Sequence, residues 1–205
     1  MIGFALAAVL AAATPAQLLP VDRCCDDAAF SQFRAALEDA VTRKDPAALE
    51  RLAADDVTSS FGGDGGWAEF AAAWGLGEPQ KSALWNEIQQ AMALGCASTR
   101  AGGRVFPGIF EDMGDDADPF DLLVIRPGAG LRPAPDKKAR ATRTADWASA
   151  VAVEAEAADG WVKVKIPGGL SGWVESGLTI SPIGYRLVSE LRDGRWRITA
   201  FVAGD

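Results

Sequence analysis

The chain reads as an α+β protein, with a helical N-terminal region, a β-rich middle and a C-terminal β-ribbon that packs back on the helices. Three observations predict this. Apolar residues recur at helical spacing as far as Gly95. From Ala101 onward the apolar period falls to two, and Gly and Pro punctuate every few residues. Near the end, Asp193-Gly194 separates two alternating runs, a strong hairpin-turn signal. Hydrophobic residues make up 49% of the 205, with seven Trp and nine Phe, enough for a real core, so a disordered chain is not expected.

The first 13 residues form an apolar run followed by Thr14-Pro15-Ala16, the pattern of a secretory signal peptide over residues 1–16. The run is too short to cross a bilayer, and no later segment approaches that length, so no integral membrane segment is expected. On this reading the protein is periplasmic or secreted. Phe30, Phe33, Leu37 and Val41 then share one helical face. Asp45-Pro46 supplies an N-cap and a first-turn proline for a second helix carrying Leu49 and Leu52. The run from Gly62 to Gly66 breaks the pattern. Trp67, Phe70 and Trp74 line a short helix ended by Gly75. Ser82 caps another helix, with Leu84, Trp85, Ile88 and Met92 inward and Gly95 as its stop. Together these predict a mainly helical domain over residues 24–120.

Strands are predicted at 121–126, 150–155, 161–166, 172–175, 185–191 and 195–202. In the third of these, Val162, Val164 and Ile166 share one face, while Trp161, Lys163 and Lys165 share the other. The valine face is expected to be core and Trp161 to point outward. The last two strands form a β-hairpin within residues 182–205. A two-stranded ribbon is marginal alone, so this one needs the helical region as its partner surface.

The pieces Leu131-Arg132-Pro133-Ala134-Pro135, Val151-Ala152-Val153-Glu154, Gly160-Trp161-Val162-Lys163-Val164 and Gly172-Trp173-Val174 stand in an order that resembles the bacterial SH3-like domain family. The resemblance covers residues 121–181. It implies a small, partly open β-barrel, typical of exported proteins, that binds peptides, often in the cell envelope. The asparagine usual before the first arginine is replaced, with Gly130 and Leu131 standing there instead. The flanking regions show a weaker similarity to the nuclear-transport-factor-like cone, although residues 67–95 read as helical where that family has curved strands.

An aromatic on a partly exposed sheet face offers a flat apolar surface with a hydrogen-bonding edge. Trp161, Trp173 and Trp147 are therefore the candidate ligand-binding residues, each also a natural core residue. Export would allow a disulfide. Cys24 and Cys25 are adjacent and Cys96 stands alone, so the bridge joins Cys96 to one of the pair. Cys25–Cys96 is the expected pairing, with Cys24 left open as the alternative.

The chain holds no histidine, which excludes Ser-His-Asp and Cys-His catalysis and His-ligated zinc. Carboxylate catalysis stays formally open through Asp55 with Asp56 or Glu111 with Asp112, although sequence neighbours are not spatial pairs. The acidic stretch at Asp112, Asp115, Asp116, Asp118 and Asp121 lacks the spacing of a calcium loop. No metal and no cofactor is expected. A net charge of −8 with no run of Lys/Arg argues against nucleic acid. The expected function is that of an exported, non-catalytic SH3-like binding protein of the cell envelope whose ligand is a peptide or cell-wall component, with a protein partner possible. The alternatives are an enzyme with a carboxylate-lined pocket in the N-terminal region, or an architectural subunit of an envelope assembly.

Overall fold

The computed structural model describes residues 17–60, 62–113, 118–153 and 159–204. The expected signal peptide lies outside them. Among the described residues, four α-helices and several sheets make up a mixed α+β fold. Helix α1, Ala28–Arg43, starts where the Asp27 side chain accepts from the Phe30 N–H and ends at Lys44 in the left-handed region. Its apolar face buries Phe30, Phe33, Leu37 and Val41, each contributing about 1.5–3 kcal/mol of transfer free energy. Helix α2, Pro46–Glu50, is capped by Asp45 in the same way. Helices α3, Trp67–Ala73, and α4, Leu84–Met92, follow, with Gly75 and Gly95 at positive φ behind them.

These helices pack on a five-stranded sheet ordered β1-β12-β11-β3-β2, where β1 is Ala53–Thr58, β2 Ala97–Ser98, β3 Arg104–Phe106, β11 Arg186–Arg192 and β12 Arg195–Val202. The C-terminal ribbon is therefore the centre of this sheet. Strand β12 runs parallel to β1, while β11 runs antiparallel to both β12 and β3. Phe30, Phe106, Trp196 and Phe201 fill the space between helices and sheet. At residues 53–58 the mainly helical region expected from the sequence gives way to β1. Its pairing advances five residues, Ala53 to Thr58, against two on β12, Ile198 to Ala200. The irregularity holds the exposed Asp55 and Asp56, and this hides the strand from a search for alternation.

Residues between β3 and β11 build the second unit, so the chain leaves the first sheet at Phe106 and re-enters it at Arg186 beside the strand it left. Its sheet is ordered β10-β4-β7-β8-β9, with β4 Leu122–Ile125, β7 Ser149–Ala152, β8 Trp161–Lys165, β9 Ser171–Glu175 and β10 Thr179–Ile180. A short ladder of β5, Gly130–Leu131, and β6, Arg143–Thr144, adjoins β9 through a bridge between Arg132 and Trp173. No closed barrel forms among the described residues. Val162, Val164, Ile166 and Val174 turn into a core shared with Ile125 and Leu131.

A third cluster joins the two units. Leu94 from the first and Ile109 from the segment that leaves it after β3 meet Leu122, Val124 and Ile180 from the second, with Leu18 of the N-terminal segment among them. No helix among the described residues is long and apolar enough to cross a membrane.

The disulfide links Cys24 to Cys96, with Cα atoms 5.7 Å apart, and not Cys25 to Cys96 as expected. The Arg23 N–H donates to the Cys96 carbonyl at 2.8 Å, which holds residue 23 alongside residue 96. Cys24 is thus buried in the core beside Cys96, and Cys25, which opens the turn that follows, is left exposed as a free thiol.

Candidate functional site

Strand pairing assembles a face that no single stretch of sequence displays. Lys163 stands opposite Trp173, Lys165 opposite Ser171 and Trp161 opposite Glu175. On the other side of β8, Val151 stands opposite Lys165, and the Val153 N–H donates to the Lys163 carbonyl at 3.0 Å. Beyond β9, Arg132 and Trp173 exchange both backbone hydrogen bonds, at 2.9 and 2.8 Å. Directly opposed residues share a sheet face. Because Leu131, Val162, Val164 and Val174 face the core, Arg132, Trp173, Lys163 and Val153 form one row on the outer face. Ser171, Lys165 and Val151 form the next.

Trp173 is the aromatic centre of that row. It is half-buried, and the Lys163 Nζ lies 5.7 Å from its ring centroid, a cation–π arrangement. Its neighbour Gly172 lets the ladder close. A Cβ there would meet the Leu131 Cβ at 3.0 Å and the Arg132 carbonyl at 3.2 Å, so a larger residue would push β5 off β9. Val151 and Val153, 46% and 43% exposed, extend the face as an apolar margin.

The loop between β5 and β6 brings further cations. Lys137, Lys138 and Arg140 are exposed, and the Lys137 Nζ reaches Glu175 of β9 at 2.9 Å. The Arg132 guanidinium donates to the Ala139 carbonyl and holds the loop against its own base. Residues 121–181 carry eight Lys/Arg against seven Asp/Glu, while the rest of the chain carries 12 against 21. The charge of the molecule is therefore polarised. Sequence reasoning found no Lys/Arg run because the patch is built from three separated segments around residues 132, 137–140 and 163–165. The one signal in the sequence was the loop itself, in which Arg132, Lys137, Lys138, Arg140 and Arg143 stand with Asp136 as the sole carboxylate.

The three candidate tryptophans do not form one site. Trp161 is 4% exposed, which corrects the expectation that it points outward. Alternation assigns it to the outer face, but burial at a strand's end depends on what the flanking turns bring over it. Residue 161 opens β8 directly after the turn at Asp159 and Gly160, both at positive φ, and the Ser176 N–H closes on the Gly160 carbonyl at 2.8 Å. Trp147, at φ 57°, is half-buried in the cluster joining the two units, where its carbonyl accepts from the Leu18 N–H at 2.8 Å.

Elsewhere, a cleft of ≈ 490 Å³ between β1 and the β11–β12 turn is lined by Asp55, Asp56, Asp193, Arg192, Arg195 and Arg197, and it is open to solvent. A smaller one of ≈ 160 Å³ lies at the seam of the units, where Arg126 donates to the Gln90 Oε1 at 3.3 Å. That volume suits a side chain, being well below that of sites for small molecules. Among the described residues one group of metal-ligating types comes together, Asp22, Cys24 and Cys96, and its two sulfurs are bonded to each other. Asp115 and Asp116 of the acidic stretch lie outside the described residues. Comparison with family models, with curated proteins and with solved structures returns no match.

Proposed function

We propose that this chain is a non-catalytic binding protein of the cell envelope, in which residues 121–181 act as an SH3-like unit and the outer face around Trp173 takes a peptide or cell-wall component. The observation that carries this reading is the placement of Trp173. A large aromatic stands half-buried in mid-strand on the outer face of a sheet whose other face is packed, flanked by Arg132 on one side and Lys163 on the other. Such a residue offers contact area at little cost in conformational entropy. The partly open arrangement of β5 and β6 along β9 and the valine core of β8 support the SH3-like assignment. The Cys24–Cys96 bond accords with an oxidising compartment, and the lack of histidine weighs against the usual hydrolytic chemistries.

The test is an NMR titration of the full chain with envelope peptides and muropeptides, following the indole N–H of Trp173. The expected result is a saturable shift in the native protein, accompanied by shifts of the β8 and β9 backbone amides that Trp173→Ala abolishes. Titrations that leave this signal unmoved at millimolar ligand would overturn the reading.

A further inference from the structure

We infer that the occupant of the Trp173 face is a short, extended, acidic peptide segment; the inference rests on the binding reading above and adds the class of ligand. Charge complementarity carries it. Lys163 stands in the same row as Trp173 and Lys165 in the next, and the β5–β6 loop, whose Lys137 pairs with Glu175 of β9, adds the exposed Lys138 and Arg140, in a protein whose net charge is −8. Lys138, Arg140 and Lys165 make no ion pair among the described residues. Carboxylates of a ligand can take these cations while an apolar side chain lies on Trp173 or against Val151 and Val153.

The same charge distribution limits the length of the ligand. The face spans β5, β9, β8 and β7, about 15 Å at roughly 4.8 Å per strand, which is the reach of about four or five extended residues. Beyond it the chain is strongly acidic, and like charges within a Debye length of about 8–10 Å repel. A long phosphate polymer following the surface would run off the patch into that field. A short acidic segment need not, and the apolar margin gives its side chains a contact that a phosphate backbone does not use.

The experiment titrates the full chain, by NMR of the Trp173 indole, with three probes: a capped Glu-Leu-Glu-Leu-Glu peptide, its Gln-for-Glu counterpart, and a muropeptide. A ten-nucleotide single-stranded DNA and sedimentation of the protein alone complete the set. Expected are binding of the Glu peptide, at least tenfold weaker binding of the Gln peptide, and at least tenfold loss in the Lys138→Glu, Lys165→Glu double variant. Both lysines are exposed, and an unchanged far-UV spectrum verifies that the variant is folded. Equal affinity for the two peptides would overturn acid selection and leave the binding face standing. So would a muropeptide that moves Trp173 when neither peptide does. No response to any probe would remove both the inference and the reading beneath it. Tighter binding of the DNA would reassign the occupant to nucleic acid, and a dimer abolished by the double charge reversal would reassign it to a second copy of the chain; either result overturns the inference.

Discussion

Asp27 and Trp196 join the first helix to the last strand. The indole Nε1 donates to the Asp27 Oδ2 at 3.2 Å across 169 residues, while the Oδ1 of the same carboxylate accepts from the Phe30 N–H at 2.9 Å. One side chain thereby caps α1 and anchors β12 beneath it. Arg104 lies over both the Phe30 and Trp196 rings, 5.7 and 5.2 Å from their centroids, adding positive charge beside the carboxylate.

The cap makes stability depend on acid. The hydrogen bond from Phe30 is the main cause holding Asp27 below its ordinary value of 3.8, with Ala29, Trp196 and Arg104 acting in the same sense and burial opposing them. A carboxylate depressed on folding stabilises the protein fully above its unfolded pKa, and that contribution is lost as pH falls through the folded value. Asp27→Asn is expected to be less stable than the native protein at neutral pH, with the difference shrinking as pH drops below 3.8. Urea unfolding of both proteins across pH 2–7 checks this, and a constant difference would refute it.

Cys24 and Cys25 differ in consequence although they are neighbours. The Cys24–Cys96 bond closes a loop of 72 residues, for which the chain-entropy estimate is about 4 kcal/mol. Cys24→Ser is expected to cost about 2–5 kcal/mol in denaturant unfolding. Cys25→Ser, at an exposed thiol, is expected to stay within about 0.5 kcal/mol. Peptide mapping without reductant should recover a fragment pair containing Cys24 and Cys96.

Trp161 and Trp173 should separate stability from binding. Trp161→Ala empties a buried site, and the expected cost is about 3–5 kcal/mol. Trp173→Ala removes a less fully buried ring and should cost less, while losing the ligand response. Thermal unfolding and titration of the two variants measure both quantities; equal destabilisation would refute the assignment.

The seam should behave as true core. Ile109 is 1% exposed and packs with Leu94, Leu122, Val124 and Ile180, so Ile109→Ala is expected to cost about 2–4 kcal/mol. A change below about 1 kcal/mol in urea unfolding would indicate that the two units hold together without it.

Much of the local structure was legible because it rests on interactions within a few residues. Phe30, Phe33, Leu37 and Val41 mark the inner face of α1, Asp45-Pro46 marks the start of α2, and Asp193-Gly194 marks the β11–β12 turn. Strand β1 was missed because two exposed aspartates occupy its irregular register. Strands β2, β5, β6 and β10 span two residues each, too few to show a period. The basic face was missed for a different reason: its cations are scattered along the chain and meet only through pairing.

The sequence by itself determined that the chain is α+β, that it has no histidine-based chemistry, that Cys96 had a partner available near residue 24, and that the valines of β8 share a face. These follow from composition and from periods of two and 3.6 residues. Tertiary structure alone decided that β11 returns beside β3 and β12 beside β1, that Cys24 and not Cys25 faces Cys96, and that Trp161 is covered while Trp173 stays half-buried between Lys163 and Arg132. Periodicity assigns a side chain to a face. What covers that face is set by segments far away in sequence, through register, turns and close packing.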